Sequence, residues 1–213
     1  MSGYEIVSLP ELERYPSASH GDSRLLPLRR RLGLRAFGAN AWTAEVGKQL
    51  VPRHSEDSGN EELYVVVTGR ATFHVGDETQ EARAGTLVYV SAGTVRQAFA
   101  EEPDTIVLAV GATPGEPFVA QGWDDVVVGF GEAEAGRIDE GRAVMLEVAA
   151  RWPDGWGPTY NLACFEARFG DADAAFDHLR RAVEMSEDAR ALARDDSDLA
   201  RLHDDPRWPE LVG

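Results

Sequence analysis

Cysteine is almost absent from this 213-residue chain: Cys164 stands alone, which excludes an intrachain disulfide and any metal centre built from clustered thiolates. Basic charge is scarce too, with 21 arginines and lysines against 37 acids and a formal charge of −16, and Lys48 is the only lysine. Little remains to neutralise phosphates, so neither nucleic acid nor an anionic membrane surface is expected as a partner. No apolar run approaches the roughly twenty residues of a membrane span. The opening MSGYEIVSLPELERYPS carries acids and prolines where a signal peptide has a basic start and an apolar run. A soluble cytoplasmic protein is the expectation. No nucleophile elbow G-x-S-x-G and no phosphate-binding P-loop is present. Hydrophobic residues make up 43%, enough for a real core, and the length suits one large domain or two small ones.

What the chain does contain changes character along its length. Residues 1–34 are turn-rich and polar and read as an N-terminal extension. Within it Arg29–Arg30–Arg31 is either a phosphate patch or a solvated or salt-bridged face, and amid so many acids we expect the second. A β-domain is placed at 35–115, where short runs succeed one another without helical spacing: LRAFGANAWTAEV, KQLVP, GTLVYVS and TIVLAVG, bounded by Gly, Pro, Asp or Asn. Such spacing describes an antiparallel sandwich or barrel. At its centre EELYVVVTGRATFHVGDE (61–78) predicts a hairpin. One strand covers Leu63–Thr68, a break falls at Gly69–Arg70, a second strand covers Ala71–Val75 and a turn follows at Gly76–Asp77. Period two puts Glu62 on one face with Tyr64 and Val66. If that face is interior, the carboxylate is paired or ligand-bound; if Glu62 starts at the rim, it is solvated. His74 lies one residue from Phe73, on the opposite face, and is read as structural.

Beyond the glycine- and proline-rich stretch 111–122 the period is helical, and a helical domain is placed at 116–213. Shifting the chain by 34 residues lays segment 122–155 over 156–189: Gly129 falls on Ala163, Gly136 on Gly170, Gly141 on Ala175 and Met145 on Leu179. Small residues recur where helices approach closely and large apolar ones where each buries a stripe. The same repeat accounts for GFGEAEAG (129–136), which has no strand–helix context to make it a nucleotide loop. With Leu162, Ala163, Gly170, Ala175, Leu179 and Ala182 in the second copy and Pro153 in the first, this resembles the tetratricopeptide repeat, an antiparallel helix pair. Glu132 and Glu166 stand where that family usually has an aromatic, so the copies are divergent. Residues 190–213 resemble the closing helices of such arrays and are expected to cap this one.

Two spaced patterns mark the β-domain. Glu62 and Gly69 are separated by six residues, with Gly47 and His54 upstream; GTLVYVSAGTVR places Gly85, Ser91, Gly93 and Arg96, and Ala100 follows. Over roughly 35–112 this resembles the cupin superfamily, a small jelly-roll barrel. The expected fold class is therefore α+β, a jelly-roll barrel followed by tetratricopeptide-like helical hairpins. The resemblance implies a metal site of three histidines and a glutamate, suited to Fe, Mn, Ni or Zn. Here no His-x-His pair exists and Arg96, which has no lone pair to give, holds the third histidine's place. No metal is expected; one that did bind would use His54, Glu56 and Glu62. Arg96 either forms an internal salt bridge with Glu62 or offers its donors to a small anionic ligand. The expected pocket comprises Glu62, Tyr64, Phe73, Tyr89 and Arg96, with Phe99 also lining the barrel. The resulting expectation is a non-enzymatic module that binds a small ligand in the barrel and a protein partner on its repeats. The alternative is a metal-dependent enzyme of oxygenase or isomerase type with an atypical ligand set. A homodimer is implied by the resemblance.

Overall fold

The computed structural model describes residues 4–17 and 22–213. The chain divides into two compact units, one running to Val127 and the other Val128–Gly213. In the first unit a 3-10 turn, Leu9–Glu11, precedes β1 (Tyr15–Pro16), β2 (Arg24–Leu26), α1 (Leu28–Leu32), β3 (Gly38–Thr43), β4 (Gln49–His54) and β5 (Glu61–Thr68). Then come β6 (Arg70–Val75), β7 (Glu78–Arg83), β8 (Leu87–Val90), β9 (Arg96–Ala100) and β10 (Ile106–Ala112). They form two antiparallel sheets, β1-β2-β3-β10-β5-β8 and β4-β9-β6-β7. Alternation sets the interior: Tyr64, Val66, Val90 and Val107 face inward from the first sheet, and Ala71, Phe73, Ala98 and Ala100 from the second. The Tyr64 and Phe73 rings, one from each sheet, lie 5.7 Å apart.

Two expectations need correction. The segment 61–78 is not one hairpin, because β5 and β6 belong to different sheets. Gly69 turns the corner between them with φ 68°, and a Cβ there would be driven into Thr105 Oγ1 and lie 2.9 Å from its Cα. The hairpin joins β6 to β7, where Val75 pairs with Glu78 across Gly76–Asp77. Nor is 1–34 only an extension, since among its described residues β1 and β2 lie in the sheet. β2 pairs with β3, Leu25 opposite Trp42, and both Leu25 and Leu26 are fully buried.

The arginine triplet is salt-bridged. Arg29 Nε and Nη2 donate to the two oxygens of Asp124 at 2.6 and 2.8 Å, and Nη2 also donates to Asp125 at 2.7 Å. Arg30 reaches the other Asp125 oxygen at 2.9 Å, Asn40 donates to Asp124 at 3.2 Å, and Arg31 pairs with Glu5. Asp124 and Asp125 are almost wholly buried, and the Trp42 and Trp123 rings stack at 5.8 Å beside them.

The boundary between units falls within α2 (Trp123–Glu134). α3 (Ile138–Arg151), α4 (Trp156–Phe169), α5 (Ala172–Met185), α6 (Glu187–Ala193), a 3-10 helix Ser197–Leu202 and α7 (Arg207–Val212) follow. No helix among the described residues is long and apolar enough to cross a membrane. Asp171 caps α5 by accepting from the Asp173 and Ala174 amides, and Ala175, Phe176, Leu179, Ala182 and Val183 form its buried stripe. Gly129 and Gly141 let two helices touch: a Cβ on Gly141 would enter the Gly129 carbonyl and lie 3.1 Å from the Phe165 ring. Glu166, expected on an aromatic's site, is buried because Arg142 holds both its oxygens, at 2.7 and 3.2 Å. Cys164 is buried, and Asp196 Oδ2 accepts from the Tyr160 hydroxyl at 2.8 Å and from Cys164 Sγ at 3.7 Å.

Candidate functional site

Four charged or titratable side chains meet at one end of the first unit's interior. β5 delivers Glu62 on the inner face with Tyr64 and Val66. β4 ends at His54, which pairs in register with Arg96 at the start of β9, so two strands of one sheet set these side by side. The loop after β4 brings Glu56, fixed by its outer oxygen: the Ser58 hydroxyl and Asn60 Nδ2 each donate to Oε2 at 3.1 Å. Asn60 is in turn held by the Thr113 hydroxyl at 2.6 Å. Glu56 Oε1 is left toward His54, 3.7 Å from Nε2.

His54 has a defined tautomer. Nδ1 lies 2.8 Å from the Pro52 carbonyl oxygen, which can only accept, so Nδ1 carries the proton and Nε2 faces the carboxylates. Nε2 stands 3.5 Å from Glu62 Oε2. The same oxygen accepts from the Tyr64 hydroxyl at 2.5 Å and lies 3.3 Å from Arg96 Nε. Burial opposes the charged form of both His54 and Glu62, but their mutual contact and the Pro52 and Tyr64 hydrogen bonds outweigh it. His54 is therefore raised and Glu62 lowered from their ordinary values. Burial, with the Glu62 charge beside it, pushes the Tyr64 phenol far up, so it stays protonated and donates.

Arg96 is the outlier. Its side chain has no exposed surface, against 16% for Glu62, 22% for Glu56 and 30% for His54, so charge is graded from a closed interior to an open mouth. Although Nε is within ion-pair distance of Glu62, it is not aligned as a donor, and Nε and Nη1 have no hydrogen-bond partner. Nη2 makes one long bond, 3.4 Å, to the Ser91 carbonyl.

Of the expected pocket, Glu62, Tyr64, Phe73 and Arg96 are brought together and Tyr89 is not. Tyr89 is 59% exposed and sits opposite Leu63 on the outer face, while Val90 points inward. Phe99 also lies outside, edge-on to His74 at 5.7 Å; His74 Nδ1 lies 2.9 Å from the Thr79 hydroxyl. His54, Glu56 and Glu62 do converge, with one ligand atom of each within 4.8 Å of the others. Of the holders of the site, Ser91 lay inside the second spaced pattern, whereas Pro52, Ser58, Asn60 and Thr113 carried no pattern that sequence reasoning could use.

Among solved structures, the fold resembles a cupin protein from Bacteroides fragilis, 21% identical over 57% of this chain and 93% of that one, with a TM-score of 0.40. It also resembles a Thermotoga maritima protein described as a predicted oxalate decarboxylase, 17% identical over 51% of this chain and 99% of that one, with a TM-score of 0.44. An uncharacterised protein of Streptomyces coelicolor is 32% identical over 106 residues, 50% of this chain and 93% of the relative. Residues 41–110, the stretch that carries His54, Glu56, Glu62 and Arg96, match the family model described as "Cupin domain". The first unit therefore carries a cupin domain.

Proposed function

We propose that the chain is a binding and interaction protein: the cupin unit holds a small molecule at Glu62, Tyr64, Phe73 and Arg96, and the helical unit takes a protein segment. The observation that carries the first half is the enclosed Arg96 guanidinium with Nε and Nη1 unbonded. A buried donor left without an acceptor costs about 1–3 kcal/mol, more when charged, and proteins seldom leave one so. A ligand bearing an acceptor supplies what the chain does not. The aromatic walls Tyr64 and Phe73 suit a small organic molecule.

For the helical unit, α3 and α5 begin at Ile138 and Ala172, 34 residues apart (172 − 138). Close helix approach falls at Gly129 and Gly141 in one pair, and the corresponding Ala163 and Ala175 of the next are fully buried. These spacings support two divergent tetratricopeptide-like repeats, an architecture that offers a groove to a peptide. A homodimer is supported by the terminal position of β8 in its sheet and by the exposure of its Leu87 and Tyr89.

A second reading, a metal-dependent cupin enzyme, is favoured by one observation: His54, Glu56 and Glu62 converge, and hydrogen bonds at His54 Nδ1 and Glu56 Oε2 hold those two side chains from behind. Imidazole with two carboxylates could hold Fe, Mn, Ni or Zn, which would supply Lewis-acid or redox chemistry. The donors fit in spacing, but the charge beside them does not fit. A cation about 2 Å from Glu62 Oε2 lies at most about 5 Å from Arg96 Nε, given the 3.3 Å contact. At an effective dielectric of about 20, a divalent ion meets about 7 kcal/mol of repulsion that a histidine at this position would not impose. Elemental analysis, before and after supplementation with iron, manganese, nickel and zinc, tests the choice. The binding reading expects far less than one ion per chain. Near one ion per chain, lost in His54→Ala and in Glu62→Ala, would establish the second reading instead.

A further inference from the structure

Two kinds of hydrogen-bonding group meet in this site, and the chain does not let them satisfy one another. Toward the mouth are acceptors, Glu56 Oε1 and Glu62 Oε2, with His54 Nε2 between them at 3.7 and 3.5 Å. Behind them lies Arg96, whose Nε and Nη1 are donors with no bond to make. A plain carboxylate would satisfy Arg96 but stand against two carboxylates of the protein. A plain amine would satisfy those two and leave Arg96 as it is. A ligand with opposite charges on neighbouring carbons answers both demands, because the protein's own opposite charges are 3.3 Å apart at Arg96 Nε and Glu62 Oε2.

We propose that the barrel binds a free α-amino acid as its zwitterion, carboxylate inward on Arg96 and ammonium between Glu56 and Glu62. The inference rests on the ligand-binding reading above and names the ligand class of that site. The order of depth follows from exposure, since Arg96 has none while the acceptors keep 16% and 22% of theirs. Entry exchanges one ion pair for two. Glu62 leaves Arg96 to take the ammonium, and the ligand's carboxylate replaces it on the guanidinium in a hydrogen-bonding alignment that Glu62 itself lacks. Asn60 and Thr113 hold Glu56 in place, so the ammonium meets one carboxylate that is already oriented. Tyr64 and Phe73 are buried, which restricts the ligand to a small side chain.

The test is calorimetry and thermal melting of the full chain with each proteinogenic L-amino acid. Any that binds is compared with its decarboxylated amine and its deaminated acid. At least one amino acid should saturate the protein and raise its melting temperature, with the matched amine and acid at least about tenfold weaker. Arg96 is fully buried, so Glu56→Gln in the half-exposed loop is the decisive variant. It should weaken the amino acid by about tenfold while the free protein melts as before. If the matched acid or the matched amine binds as tightly as the amino acid, the zwitterion inference fails and the ligand-binding reading stands. If no amino acid saturates, the inference fails; if the same preparation then carries one metal ion per chain, the ligand-binding reading fails with it.

Discussion

Glu62 and Arg96 are not equivalent halves of a pair, and substitutions should show it. Without Glu62's charge, a guanidinium with no exposed surface has no anion beside it. Without Arg96, Glu62 still receives the Tyr64 hydroxyl at 2.5 Å and faces His54. Glu62→Gln is expected to destabilise by about 3–5 kcal/mol, as when one partner of a buried pair is removed. Arg96→Met, apolar and of similar length, should cost less than Glu62→Gln, because the Glu62 that remains keeps its contacts with Tyr64 and His54. Denaturant melts of the two variants check this; equal losses would mean that the pair behaves as a symmetrical salt bridge. Glu62 and Arg96 were legible because the spacing of Gly69, Gly85 and Gly93 framed them. Tyr64 and Phe73 were legible through period two. Tyr89 was misplaced because Leu87, Val88, Tyr89 and Val90 are all apolar, so alternation carries no sign of which face is inside. Asn60 and Thr113 are 53 residues apart and become partners only in the fold.

Elements are joined here by close approaches and one buried ionic cluster. At the β5–β6 corner, Gly69→Ala adds a positive-φ strain of about 1–2 kcal/mol to overpacking against Thr105 of about 1–3 kcal/mol, so a loss of about 2–5 kcal/mol is expected in denaturant melts. In the helical unit, Gly141→Ala pushes into the Gly129 carbonyl and should cost about 1–3 kcal/mol by the same measurement. The first turn of α2 gives a pH prediction. Burial opposes Asp125's charge, but Arg30 and Arg29 outweigh it and lower its pKa from the ordinary 3.8. Its contribution is therefore fully present above about pH 4 and is lost as pH falls through the depressed value. Asp125→Asn should melt lower than the parent at neutral pH, and the gap should narrow on acidification below pH 4. A constant gap would show that the charge is not responsible. Half of this cluster was legible: the arginine triplet was expected on a solvated or salt-bridged face, but its acids lie 95 residues on. The corner at Gly69 was read as a hairpin because a short break between two β-runs looks the same whether the strands pair or change sheets.

Across the whole molecule, the excess of 37 acids over 21 basic residues acts as self-repulsion that salt screens. Most ion pairs outside the two buried clusters are exposed and individually worth little, so they should not reverse the trend. Raising salt from low to physiological strength is expected to raise the melting temperature; a fall would show that the pairs outweigh the repulsion. The passage from strands to helices was legible from periodicity alone. Periodicity does not show that residues as far as Val127 group with the sheets, because that grouping rests on contacts far apart in sequence. One more property of the entire chain follows from Asp196. Burial, helped by that carboxylate and Asp198, pushes the thiol of the chain's sole cysteine, Cys164, well up, so it stays neutral and enclosed. A thiol reagent should therefore leave the native protein untouched and titrate one group only after denaturation. A cysteine introduced on the surface would then be the single reactive handle on the molecule, open to a spectroscopic label with the native residue left in place.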